Sequence, residues 1–179
     1  EVVERMVLPR LQPDRPLMFV IIDCLRLDQW RALQPIIGRW FDIEETLYSS
    51  ILPTATPYSR NAIFSGQYPD EIARDRPEWW AIDEGSLNAF EDELLREQLK
   101  RLTGRDIPVH YEKVFTDGDS DDVVARVRGA LRGHGVVAMV FNFVDLLTHG
   151  RSESAILMEV ARDAEALRSL TVQWFERSS

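Results

Sequence analysis

The stretch ILPTATPYSRNAIFSG, residues 51–66, places two hydroxyls, Thr54 and Thr56, directly before a short run with helical spacing. A threonine hydroxyl is a weak nucleophile until a base or a metal lowers its pKa. At a helix N-terminus it also sits among backbone N–H groups that favour an anion. An ordinary reading competes with this one: Thr56 is a good N-cap, and Pro57 fits a first helical turn that needs no N–H from it. Two other places carry side chains able to do chemistry. Asp23 ends the apolar run PLMFVIID, and Asp145 ends GVVAMVFNFVD, with His149 four residues on. Carboxylate and imidazole together suit zinc or manganese. Each also has a plain use, Asp23 as a cap for the helix beginning near Arg26, Asp145 as a turn cap and His149 as a surface imidazole.

These groups need elements that deliver them to one place. PLMFVIID (16–23) and GVVAMVFNFVDLLTHG (135–150) are long apolar runs rich in β-branched residues, the pattern of buried parallel strands. FDIEETLYSSIL (41–52) mostly alternates and reads as a second strand, and PVHYEKVFT (108–116) as another. The expected strands lie near 17–23, 42–51, 108–115 and 136–143. Between them, LDQWRALQPIIGRWF has helical spacing, broken by Pro35 and closed by Gly38. Residues 57–65 form a short helix stopped by Gly66. Residues 87–102 form a strongly amphipathic helix closed by Gly104. DGDSDDVVARVRGALRG and SESAILMEVARDAEALRSLTVQWFE supply two more helices. The alternation argues an α/β fold, a mostly parallel sheet with helices on both faces. In such a sheet, ligands gather at the carboxyl ends of the strands, where Asp23, Thr54, Thr56 and Asp145 all fall.

The chain has 179 residues, 45% hydrophobic, which suits one ordinary domain core. Its net charge of −9 repels long nucleic acid, so extended nucleic-acid binding is not expected; a small phosphorylated ligand needs local cations. No apolar run approaches a membrane span, no signal peptide is visible, and Cys24 is the single cysteine, consistent with a cytoplasmic protein. Cys24 itself reads as a small buried residue. Trp79 and Trp80 read as packing against the neighbouring amphipathic helix, with nucleobase stacking as the alternative. Residues 1–16 read as the end of a preceding helix and a Pro-rich link, and 17–179 as one domain with a helical insertion near 68–103. The chain begins with Glu1 and ends in a helix with no following strand, so it reads as a piece of something longer.

FVIIDCLRLDQW, LPTATPYSRNAIFSGQYP and FNFVDLLTHG together resemble the alkaline phosphatase superfamily. The nearest resemblance is to its PglZ-domain branch, as in the response regulators of bacterial gliding and type IX secretion. The resemblance implies that Asp23 binds the metal that activates the nucleophile and that Thr56 is the nucleophile, with Thr54 as the alternative. It implies that Asp145 and His149 bind a second metal, and that Arg60 contacts the phosphoryl group or holds the nucleophile loop. The implied cofactors are two divalent metals, zinc with manganese as the alternative. The family completes this site with an Asp-His pair that the chain lacks, so the ligand set is incomplete here.

The implied function is a metal-dependent phosphodiesterase or phosphatase effector domain of a signalling protein, acting on a small phosphorylated or nucleotide substrate and expected to be inactive as this fragment. Its expected partners are other domains of the parent, a receiver domain among them; a homodimer is compatible. The alternative is a non-catalytic signalling or interaction module that keeps the fold.

Overall fold

A computed structural model describes residues 2–80, 88–114, 120–133, 135–142 and 144–145. Three six-residue strands, β1 (Leu17–Ile22), β2 (Val109–Val114) and β3 (Val136–Phe141), form a sheet in the order β1-β3-β2. The pairing is parallel and in constant register. Leu17 N–H donates to Gly135 O at 2.9 Å and Asp23 N–H to Phe141 O at 3.0 Å. On the other side, Val136 N–H donates to Pro108 O at 2.9 Å and Asn142 N–H to Val114 O at 3.1 Å. The order explains the compositions. β3 is central, and its first five residues are all buried, so only an unbroken apolar run fits there. β1 lies at an edge and alternates, with Met18 and Val20 exposed.

The helices are α1 (Leu27–Ile37), α2 (Thr56–Ser65), α3 (Pro69–Asp75), α4 (Glu91–Thr103) and α5 (Ser120–Ala130). Val3 and Val7, in a helical turn at the start of the chain, are buried as well. The described residues fall into two compact units. The first contains residues up to 19, 48–111 and 130–138, and the second contains 20–47, 112–129 and those from 139 on. In the first unit, α2 packs on α4 and α3. Phe64 is fully buried there, edge-on to Phe19 at 5.9 Å and to Tyr111 at 5.8 Å. In the second, Leu33 and Val144 are buried together against Ile22, Leu25 and Ile37. Val123, Val124 and Val127 form the buried stripe of α5. No helix among the described residues is long and apolar enough to cross a membrane.

The structure differs from the sequence reading in three elements. Residues 42–51 form no strand. Their alternation does not lead to burial: Leu47 is 72% and Tyr48 58% exposed. Side chains, not a ladder, fasten this segment. Arg31 grips the Glu45 carboxylate through both guanidinium nitrogens at 2.7 and 2.8 Å, and the Trp30 indole N–H donates to it at 2.6 Å. These donors hold the Glu45 carboxyl below its usual range, the indole first and the guanidinium second. Helix α1 also runs through Pro35, which falls in its last turn and so costs only one late hydrogen bond. The helix ends as Gly38 N–H closes on Gln34 O at 2.9 Å. Finally, Thr56 is the first residue of α2, and the cap position belongs to Ala55.

The close approach that seats β3 is made by Gly135. Its φ is +150°, and a Cβ there would lie 2.2 Å from the Pro108 carbonyl oxygen. That oxygen is also the acceptor for Val136, so the backbone cannot retreat without losing the first rung between β3 and β2. Gly135→Ala is expected to destabilise the protein by about 3 kcal/mol, read as a lowered urea midpoint at unchanged slope.

Candidate active site

The parallel register brings two acids to one end of the sheet. Asp23 follows β1 directly and is locked by its N–H to the last residue of β3. Asp145 follows β3 after a short excursion, and the neighbouring Val144 is buried against Leu33. One ligand atom each from Asp23, Cys24 and Asp145 lie within 4.8 Å of one another. The Cys24 thiol donates to Asp145 Oδ1 at 3.0 Å, and the Cys24 N–H donates to Asp23 Oδ1 at 3.1 Å. Cys24 takes φ +58°, the left-handed region that non-glycine residues seldom occupy. This turn corrects the sequence reading of Cys24: the thiol is exposed and directed at the acids, not packed in a core. His149 lies outside the described residues.

Two carboxylates brought this close favour a cation between them. The donor set of two carboxylate oxygens and one sulfur fits a borderline-soft divalent ion such as zinc better than manganese, which prefers oxygen. Cys24 went unrecognised in the sequence because nothing in the spacing distinguishes a thiol turned outward at a strand end from one turned inward.

The first unit carries Thr56. It opens α2, with Pro57 next and Thr54 two residues before it in exposed extended chain. The cap residue is Ala55, which has no side-chain oxygen, and Thr56 stands one place inside the helix. The turn is closed by the Tyr58 and Ser59 N–H groups, both donating to Ala55 O at 3.0 Å, and the Ser59 Oγ donates to Thr54 O at 3.1 Å and to Ala55 O at 3.2 Å.

One turn beyond Thr56, Arg60 is only 4% exposed and forms an ion pair with Glu91, which is fully buried. Arg60 Nε donates to one carboxylate oxygen and Nη2 to the other at 3.2 Å. The Tyr111 hydroxyl also donates to Glu91. Burial, then the Glu91 charge, push the Tyr111 phenol up, so it stays a donor. Asn88 completes the cluster. Its amide lies 3.0 Å from Glu91 Oε1, 3.0 Å from Asn61 Oδ1 and 3.5 Å from the Thr56 carbonyl oxygen.

The sequence reading singled out Arg60 but not its partners Glu91, Asn88 and Tyr111. The missed signal is positional: Glu91 shares the helical stripe of Leu94, Leu95, Gln98 and Leu99, all buried. A charge in register with an apolar stripe must meet a partner inside. The aromatic pair after α3 divides its contacts. Trp79 stacks on Phe90 with centroids 6.3 Å apart, and Trp80 lies against Tyr58 at 5.7 Å.

A comparison with known protein families matches residues 2–175 to the family described as the BREX system PglZ alkaline phosphatase-like domain. No curated protein matches the chain.

Removing one member of the buried pair strands the other charge. Glu91→Ala is therefore expected to cost about 3–5 kcal/mol, and the double change Arg60→Met with Glu91→Leu to recover most of that loss. Denaturant unfolding of both variants against wild type checks the two outcomes.

Proposed function

The chain belongs to the PglZ alkaline phosphatase-like family, and on that premise we propose that its intact protein is a metal-dependent hydrolase of phosphoric esters, phosphodiesters first. The observation that carries the proposal is the convergence of Asp23, Cys24 and Asp145 at the carboxyl ends of the neighbouring strands β1 and β3. Divalent metals are typical of this superfamily. In this reading Asp23, Asp145 and Cys24 hold a zinc ion, and His149 joins Asp145 in holding a second. When bound, the metal supplies positive charge for the phosphoryl oxygens and lowers the pKa of the attacking hydroxyl.

Thr56 is the nucleophile of this reading, and Thr54 the alternative. Its Oγ1 loses its proton and forms a bond to phosphorus, while the bond from phosphorus to the leaving alcohol breaks and that alcohol takes up a proton. Water then cleaves the phosphothreonine and restores the hydroxyl. The position of Thr56 as the first residue of α2 supports this role, because the positive end of the helix dipole favours the anion that develops there. Arg60 acts by holding the nucleophile turn, the role its burial with Glu91 supports. A small phosphorylated or nucleotide substrate and a signalling-effector role, as the resemblance to response regulators implies, complete the proposal.

Cobalt(II) reports on the ligand set through its spectrum. The wild-type protein is expected to give visible d–d bands together with thiolate-to-cobalt charge-transfer absorption. Cys24→Ser should lose the charge-transfer absorption and bind at least about tenfold more weakly, and Asp145→Asn should lose both. Thr56→Ala should keep the cobalt spectrum and fall below about one thousandth of the wild-type rate on a chromogenic phosphodiester. No cobalt binding by the wild type would argue for the non-catalytic module instead.

A further inference from the structure

We infer that Asn88 and Glu91 are positioning residues for Thr56, fixing the first turns of α2 from the start of α4. The inference rests on the reading of Thr56 as nucleophile and goes beyond it, since neither residue belongs to the motif that suggested that role. Misplacing a reacting group by an ångström costs about a hundredfold in rate, so whatever fixes the first turn of α2 bears on catalysis.

The contacts divide by position along α2. In its first half, the Asn88 amide reaches the Thr56 carbonyl of the first turn at 3.5 Å and Asn61 of the second turn at 3.0 Å. It is itself held by Glu91 at 3.0 Å, and Glu91 receives the Arg60 guanidinium. Thr56 and Arg60 are four residues apart, on one face of the helix. At the other end of α2, Gln98 donates to Ile63 O at 3.0 Å and to Phe64 O at 2.8 Å, and Arg101 donates to Ser65 O at 2.7 Å. Helix α4 thus grips α2 twice, and only the first grip lies at the Thr56 turn.

A merely structural role predicts that both grips matter in proportion to stability. A positioning role predicts that they differ. Two variants loosen the first grip: Glu91→Gln keeps the size of the side chain and removes its charge, whereas Asn88→Ala keeps the buried ion pair, so the test survives if Glu91→Gln does not fold. Gln98→Met loosens the second grip.

In the intact protein, Asn88→Ala is expected to lower kcat by about ten- to a hundredfold with KM within about twofold. Gln98→Met is expected to keep kcat within about twofold while lowering the melting temperature. Hydrogen exchange gives a readout independent of turnover. Asn88→Ala should speed amide exchange in residues 54–61 and leave 62–66 at the wild-type rate, with the reverse for Gln98→Met. Equal losses of kcat in the two variants, unchanged kcat in Asn88→Ala, or exchange that rises along the whole of α2 would overturn the inference. Full activity in Thr56→Ala, or a wild type without metal-dependent turnover, would defeat the nucleophile reading and this inference with it.

Discussion

The ion pair between Arg60 and Glu91 is the constraint on which the first unit depends. Taking both charges out of water is costly, and their mutual attraction offsets the cost only when the remaining lone pairs and protons find partners. That requirement explains the surroundings. Tyr111 reaches the carboxylate from β2, Asn88 from the residues before α4 and Arg60 from α2, while Asn61 accepts from the Asn88 amide beside it. Such a cluster has few alternative arrangements, because any shift leaves a buried group without a partner. Gly66 adds a second constraint at the far end of α2. With φ +65°, it ends the helix, and a Cβ there would lie 2.9 Å from the Gln98 side chain. The close packing of α2 on α4 is thus set by an ion pair at one end and by a missing side chain at the other.

The second unit solves a different problem. Its acids lie where the parallel sheet ends, and the constant register of β1 against β3 sets their spacing. A slip of one residue would turn Asp23 to the other face of the sheet. The Phe141 carbonyl fixes the Asp23 backbone, and the burial of Val144 fixes the chain beside Asp145. Cys24 reaches the same place only through a left-handed backbone conformation, which carries a cost for a side chain with a Cβ. Backbone strain of this kind is commonly found where geometry serves function.

What the sequence made legible follows from burial. β3 was readable because a strand covered on both faces must be an unbroken apolar run; β1 is as apolar in sequence although it lies at an edge with Met18 and Val20 exposed, and each run ends at an acid. The meeting of Asp23 with Asp145 follows from those two runs, and the parallel α/β architecture from their alternation with helical segments. Residues 42–51 have the alternation of a strand, but alternation records only that one face is apolar and says nothing of a neighbouring strand. Here the partner is Arg31, a helix side chain holding Glu45. The start of α2 was misplaced by one residue because Thr is a better cap than Ala by propensity, while here the backbone carbonyl of Ala55 closes the first turn. Glu91 and Gln98 were hidden for the opposite reason: polar residues on an amphipathic helix are read as its wet face, and only their phase relative to Leu94, Leu95 and Leu99 shows that they point inward.

The charge distribution bears on the proposed chemistry. A phosphoric ester is anionic, and the chain carries a net charge of −9. The guanidinium nearest in sequence to Thr56 belongs to Arg60, and its charge is matched by Glu91 inside the unit. Arg60 therefore adds little net positive potential for an approaching anion, whatever it contributes to rigidity. Asp23 and Asp145 make their own end of the sheet more negative still. A phosphoryl group would be repelled from such a surface unless cations occupied it. On the proposed reading, the acids that make the protein a poor anion binder are the same groups that recruit the cation. Metal binding then both neutralises the acids and attracts the substrate, so loss of either aspartate has two opposed effects on ester binding, a weaker hold on the cation and a smaller direct repulsion.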